Sequence, residues 1–235
     1  DVEVAFDGDL IQTYFGMRKI SNEILPGTDY PYVALNNKPI YLQLALDQSY
    51  HPDGYYTFPN DNFIKEEILR SKSIGLNGIR VHVKLEVPRK LYWADKLGLL
   101  VVEDLPNSWG VPNKLMREES EYTLKEMIKR DYNHPSIFSW VIFNEQWGLK
   151  TKNDPEDKKQ NEYEILPETY HWVTSMYYLA KSLDQSRLIV DNSLCCTGLH
   201  TATDLNSWHA YLPGWAWENY LKDQTEKNFK GGTHL

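Results

Sequence analysis

Short apolar runs alternate with amphipathic stretches through most of this chain, and that rhythm restricts its fold more than any other feature. Counting from Ile40, runs that read as strands lie near positions 40, 78, 99, 137, 188 and 204. Between them, Asn62 to Ile74 carries Phe63, Ile64, Ile68, Leu69 and Ile74 at helical spacing, with Asp61 as the expected N-cap and Gly75 as the stop. Pro88 opens a second helix that runs through Leu97 and stops at Gly98, and Leu115 to Asp131 and Pro167 to Leu183 supply two more. Leu99 to Val102 and Ile137 to Phe143 are continuous apolar runs, the mark of strands buried on both faces. Strands and helices in alternation predict a parallel sheet covered by helices. A closed eight-stranded barrel takes about 250 residues, and roughly 200 of the 235 residues follow the β-rich start. A (β/α)8 TIM barrel truncated after about strand six and a complete six-stranded open sheet fit that count equally. Neither GxGxxG nor GxxxxGK followed by Ser or Thr occurs, which takes support away from a nucleotide-binding open sheet.

The first 25 residues follow a different pattern. Val2, Val4 and Phe6 alternate with charged residues, Asp7-Gly8-Asp9 reads as a turn, and Leu10 to Ile20 carries Thr, Tyr and Phe. Residues 1–25 therefore read as the end of a β-domain and a linker, and residues 26–235 as the barrel, incomplete at its C-terminus. After Pro26-Gly27, Val33 to Leu35 and Ile40 to Leu46 flank Asn36-Asn37 as a hairpin. The polar segment Gly148 to Pro167 reads as an insertion after the fourth strand.

Composition narrows the partners. Lys and Arg number 25 against 33 Asp and Glu, a formal charge of -8 with no basic cluster, so no nucleic acid is expected. No apolar run approaches the ~20 residues needed to cross a bilayer, so no membrane is expected either. Cys195 and Cys196 are the only cysteines. A bridge between neighbours is strained, so no disulfide framework is expected and both read as inert. Eight Trp, sixteen Tyr and seven Phe are compatible with a large aromatic core, and also with sugar rings, whose C–H faces pack on flat apolar surfaces beside carboxylates.

In a parallel barrel, chemistry lies at the C-terminal ends of strands. The residues there are Asp47-Gln48, then Arg80 with His82, Glu103-Asp104, Asn144-Glu145, Asp191-Asn192, and Trp208-His209 with Tyr211 just beyond. The sharpest segment is Asn133 to Glu145, in which an apolar strand starts at a Pro-containing turn and ends in an amide beside a carboxylic acid. Aromatic walls such as Trp147 and Trp208 would disfavour the charged form of Glu145, as a general acid requires. The alternative is structural: Asn144 caps the next turn and Glu145 pairs with Arg80.

At these residues the chain resembles glycoside hydrolase family 2, which groups β-galactosidases, β-glucuronidases and β-mannosidases. Asn133 to Glu145 is similar to the family's acid/base signature, and Thr13 to Ile20 is similar to its join between an immunoglobulin-like domain and the barrel. Leu46-Asp47-Gln48 with His51-Pro52-Asp53-Gly54, Gly78-Ile79-Arg80 with His82, and Ala94 to Glu103 resemble its first three strands. The resemblance implies a barrel preceded by the last strands of an immunoglobulin-like β-sandwich. It implies Glu145 as general acid/base and Asn144 as the ligand of the sugar 2-hydroxyl, with Arg80, His82, His209 and Tyr211 lining the subsite; Asp47 and Trp208, at strand ends, read as further substrate-binding residues. Retaining glycosidases need a second carboxyl group about 5–5.5 Å from the first. The resemblance places that nucleophile after strand seven, beyond residue 235, so the chain reads as a fragment that is inactive alone.

The seven histidines include no HExxH and no pair at ligand spacing, and the stretch Glu103 to Trp109 lacks the acidic ligands with which some relatives hold magnesium. No cofactor and no metal are expected, and His134 reads as a structural hydrogen-bonder. The leading expectation is a retaining exo-β-glycosidase acting on a carbohydrate substrate. A non-catalytic carbohydrate-binding barrel and another barrel glycosidase of the same clan are the alternatives. The sequence leaves the compartment open and is compatible with a homo-oligomer.

Overall fold

Turn chemistry organises the start of the chain. The computed structural model describes residues 1–152, 163–195 and 200–230. In chain order come β1 (Val2–Phe6), β2 (Asp9–Thr13), β3 (Ile20–Ile24), β4 (Pro31–Leu35), β5 (Lys38–Pro39) and β6 (Leu44–Asp47). They are followed by α1 (Asp61–Ser73), β7 (Gly78–Val81), α2 (Pro88–Leu97), β8 (Leu100–Asp104), α3 (Lys114–Asp131) and β9 (Ile137–Asn144). Then come β10 (Thr151–Lys152), β11 (Tyr163–Glu164), α4 (Pro167–Leu183), β12 (Leu188–Ser193) and α5 (Trp217–Lys230). Among the described residues no helix is long and apolar enough to cross a membrane. The parallel strands follow the order β12-β9-β8-β7-β6. The chain divides into two units, residues 1–103 with 126–139 and residues 104–125 with 140–235.

In the first unit, β1 and β2 form a hairpin whose central residues, Asp7 (φ +47°) and Gly8 (φ +90°), both take the left-handed conformation that matches strand twist. Asn36 and Asn37, at φ +52° and +62°, do the same between β4 and β5. β3 pairs with β4 from Ile20 opposite Leu35 to Ile24 opposite Pro31, a pairing the sequence did not signal because Ser21, Asn22 and Glu23 leave β3 without an apolar pattern. The linker is tied to the foot of β9. Arg18 donates from Nε to Pro135 O (3.1 Å) and from Nη2 to Ile137 O (2.8 Å), and a Cβ on Gly16 would fall 2.5 Å from the Pro135 ring. Asp95 collects Tyr14 Oη (2.6 Å), His134 Nδ1 (2.7 Å) and Ser136 N (2.8 Å), so His134 is a structural partner here.

Strands β6, β7 and β8 run parallel, with Leu44, Gly78 and Leu100 in register. Gly78 is required there, because a Cβ would strike Leu44 and Leu100. Helix α1 starts one residue earlier than expected. Asn60, not Asp61, is the N-cap and accepts from Phe63 N (3.0 Å), while Asp61 sits in the first turn and binds Arg89. Helix α2 opens on Pro88 and ends at Gly98 with φ +69°. Ile64, Ile68, Leu91, Ala94, Ile79 and Val81 are buried between these helices and strands as the apolar periodicity demands.

The second unit holds the upper part of β9, a strand buried along all eight of its residues. Leu105 N donates to Val141 O (2.8 Å), and Trp172 of α4 packs on Phe143 with ring centroids 5.0 Å apart. Asp184, buried after α4, accepts from Trp140 Nε1 (2.9 Å) and Arg187 Nη1 (2.7 Å). Burial pushes its carboxyl upward, but Arg187 and these hydrogen bonds hold it below the usual carboxylate range. The insertion is closed at its base by two antiparallel pairs, Thr151 opposite Glu164 and Lys152 opposite Tyr163, and residues 153–162 lie outside the described residues.

The expected sixth strand at Asp204 to Trp208 is corrected to an irregular segment, bent at Asp204 and Leu205, with one parallel bridge, Leu194 to Trp208. Asp204 N donates to Ile189 O (2.9 Å), but the answering bond runs from Ile189 N to the Asp204 carboxylate (2.8 Å). Tyr177 and Lys181 hold the same carboxylate, so a side chain takes the place of ladder carbonyls.

Candidate active site

The site in the second unit is built where β9 ends. Asn107 takes the part of a neighbouring strand: its Oδ1 accepts from Asn144 N (2.7 Å) and its Nδ2 donates to Ile142 O (2.9 Å). Beyond Asn144 the backbone reverses through two non-glycine residues at positive φ, Glu145 (+50°) and Gln146 (+58°). Each costs about 1–2 kcal/mol for an L-residue, and such strain collects where surrounding structure holds a functional geometry. Here the holding bonds are Glu145 N to Ser193 O (2.8 Å), Trp147 N to Asn144 O (2.8 Å) and Gln146 Nε2 to Cys195 O (3.0 Å).

The Glu145 side chain is 24% exposed, and its Oε1 lies 2.5 Å from His209 Nδ1. His209 Nε2 in turn lies 2.8 Å from Ser193 Oγ. Nδ1 donates to the carboxylate, and the imidazole is held between Glu145 and Ser193. Oε2 is then the oxygen of Glu145 that can exchange a proton with a bound molecule. Glu145 also forms part of the wall of a cavity of about 570 Å3, with Trp109, Gly110, Val111, Gln146, Trp147, Gly148, Lys150 and Cys195. Trp109 and Trp147 meet edge to face with centroids 4.9 Å apart. Of the two expected aromatic walls, Trp147 thus lines the cavity beside Glu145, whereas Trp208 does not line it and is 37% exposed.

The other strand-end residues have partners of their own. Asp191 is fully buried, and its carboxylate accepts from His200 Nδ1 (2.6 Å), Asn192 N (2.7 Å) and Thr201 N (2.7 Å), pinning the segment that follows residue 200. In the first unit, Asp47 accepts from Ser49 N (2.6 Å) and pairs with Lys90 (2.6 Å), a lysine only 2% exposed that also faces Glu67 (3.0 Å) and Glu86 (3.6 Å). Glu103 is fully buried and accepts from Glu86 N (2.8 Å). His82 Nδ1 bonds Gln48 Nε2 (2.9 Å), and Arg80 lies half-buried on β7. Asn144, Glu145, Trp208, His209 and Tyr211 belong to the second unit, and Asp47, Arg80 and His82 to the first.

Three residues that shape the site carried no recognised signal. Asn107 and Trp109 fall in an irregular loop, and Ser193 is a small polar residue at the end of an apolar strand. The cysteine expectation is corrected: Cys195 is disulfide-bonded, and Cys196, the only other cysteine, lies outside the described residues. Among the described residues no group of three or more His, Cys, Asp and Glu side chains is arranged to hold a metal ion.

Residues 30–230 match the family model described as glycosyl hydrolases family 2, TIM barrel domain. A β-galactosidase of Thermoanaerobacterium thermosulfurigenes is 35% identical over 109 residues, 46% of this chain and 15% of that protein. A β-glucuronidase of Streptococcus agalactiae is 29% identical over 169 residues, 61% of this chain and 26% of that protein. The chain thus spans about a quarter or less of the length of these relatives. Among solved structures, a Bacteroides uniformis β-glucuronidase superposes with a TM-score of 0.76 at 24% identity, covering 96% of this chain and 27% of the other. A β-galacturonidase from Eisenbergiella tayi bound to galacturonate superposes with a TM-score of 0.72 at 22% identity, covering 94% and 36%.

Proposed function

The chain belongs to glycoside hydrolase family 2, and on that premise we propose that it carries the acid/base half of a retaining exo-β-glycosidase, with residues 26–235 in the barrel and residues 1–25 closing an immunoglobulin-like domain. The observation that carries the reading is Glu145, a carboxylic acid on a strained turn, with one oxygen held by His209 and an aromatic cavity beside it. In the first step Glu145 gives its proton to the glycosidic oxygen while a nucleophilic carboxylate, placed by the family resemblance beyond residue 235, attacks the anomeric carbon. In the second step the Glu145 carboxylate takes a proton from the water that displaces the enzyme carboxylate. Asn144 binds the 2-hydroxyl, and Asp47, Arg80, His82, Trp208, His209 and Tyr211 hold the terminal sugar. The named relatives make β-glucuronides and β-galactosides the first substrates to try.

Glu145→Gln in the whole protein tests the role. Substrates with poor leaving groups should lose about 10²–10⁴ in rate, the usual worth of a general acid. Activated aryl glycosides need little protonation, so their glycosyl-enzyme should still form and then accumulate for want of a base. Azide, a nucleophile that needs no base, should restore turnover. Equal losses on both substrate types without azide rescue would sink the assignment and leave Glu145 a structural residue.

A further inference from the structure

The cavity beside Glu145 shares only that residue with the side chains assigned to the terminal sugar. Asn144, Trp208, His209 and Tyr211 are not part of its wall, which is formed by the chain just past Glu145 and by residues 109–111. A general acid contacts the glycosidic oxygen, the one atom common to the departing group and the sugar that stays. A cavity that meets the glycone residues only at the acid is therefore where the departing group lies.

Its wall suits a ring. Trp109 is 79% exposed, a high value for an indole, yet it is held in place. Gly148 has φ +72°, and a Cβ there would fall 2.7 Å from Ser108 O and 2.5 Å from Met116 Cε, so this glycine lets the two loops approach closely enough for Trp109 and Trp147 to meet. Ser108 Oγ accepts from Gly110 N (3.0 Å), which fixes the turn that carries Trp109. The charged groups on the wall are Glu145 and Lys150, and the volume falls within the range of small-molecule sites, roughly 300–1,000 Å3. Indole faces take the C–H face of a pyranose, and Lys150 can donate to hydroxyls at its edge.

We infer that Trp109, set against Trp147, is the platform of a leaving-group subsite for a second sugar, so that the substrates are β-linked oligosaccharides rather than glycosides of small alcohols. The inference rests on Glu145 being the acid/base. It is tested in the whole protein with a β-linked disaccharide and the methyl β-glycoside of the same terminal sugar. Both have alkoxide leaving groups that need the acid, and they differ in the departing ring. Trp109→Ala should lower the disaccharide-to-methyl ratio of kcat/KM about tenfold, and Trp109→Phe, which keeps an aromatic face, should retain most of it. A ratio within twofold of the parent value for Trp109→Ala overturns the subsite. Calorimetric titration of the intact disaccharide into the Glu145→Gln variant, with and without Trp109→Ala, gives a second reading. A Kd weakened about tenfold by the second substitution supports the platform, and an unchanged Kd overturns it. Failure of the acid/base assignment shows separately, as undiminished methyl glycoside hydrolysis by Glu145→Gln.

Discussion

Glu103 and Glu145 each stand at the carboxyl end of an apolar parallel strand, and the two have opposite fates. At Glu103 the strand continues into Asp104, and the carboxyl is sealed in the first unit. Burial pushes it well above the usual carboxylate range, the nearby Asp131 carboxylate pushes the same way, and the bond from Glu86 N and the Arg130 guanidinium 3.8 Å away oppose them. At Glu145 the strand stops, two positive φ angles turn the backbone aside, and the carboxyl is left partly exposed with one oxygen held by His209. A strand-end acid thus becomes a sealed core group or a partly exposed one according to what the next two residues do.

The largest expected effect breaks the pair apart. Glu145→Gln should depress hydrolysis of poor leaving groups by about 10²–10⁴ while leaving the unfolding midpoint nearly unchanged. Glu103→Gln, which replaces a sealed core carboxyl by an amide of the same shape, should keep activity within a few-fold. Rate assays paired with thermal melts on both variants check the contrast. Were Glu103→Gln the more damaging to catalysis, the division between core and reactive acid would be wrong.

A smaller effect belongs to His209. If Glu145 is the acid/base, its contact with His209 orients the carboxyl, so His209→Ala should lower kcat by about 10–100-fold with a smaller change in KM, because the turn and the cavity persist while the carboxyl loses its fixed orientation. His209→Gln, which can still donate to Oε1, should recover part of that loss. A loss confined to KM, with no rescue by Gln, would make His209 a substrate ligand alone.

Much of this contrast was legible in the sequence and part was not. Pro88, Gly98 and Pro167 mark helix ends through backbone chemistry intrinsic to each residue, so those boundaries could be read directly. The Asn144-Glu145 pair stood out because a continuous apolar run leads into it. Asp204 misled because its carboxylate, not a backbone carbonyl, closes the bond to Ile189, and a side chain in that role leaves no periodic trace. Asp61 and Asn60 are both good caps, and only the Arg89 partner decides between them. His209 was recognisable as a site residue, but its hold on Glu145 is a contact across 64 residues that no local pattern encodes. Asp47, Glu103 and Asp191 looked alike at strand ends, and only their buried partners distinguish them.

The smallest effect concerns pH and stability, and it falls on Glu103 alone. In the unfolded chain its carboxyl titrates in the ordinary range, near 4.3; in the folded chain burial keeps the proton on well above that. Below the ordinary range both states are protonated and the group is neutral to stability. As pH rises above it, the unfolded state releases its proton first, so the folded state binds more protons and stability falls with pH. Glu103→Gln cannot ionise and removes this contribution. The unfolding free energy from urea melts should therefore drop more between pH 5 and pH 8 for the parent than for the variant. Glu86 is also raised by burial, but Lys90 and Ser49 oppose that shift, so its own contribution has the same sign and a smaller size. An identical pH slope in parent and Glu103→Gln would show that Arg130 compensates the Glu103 charge in full, and would make Glu103 a paired buried acid.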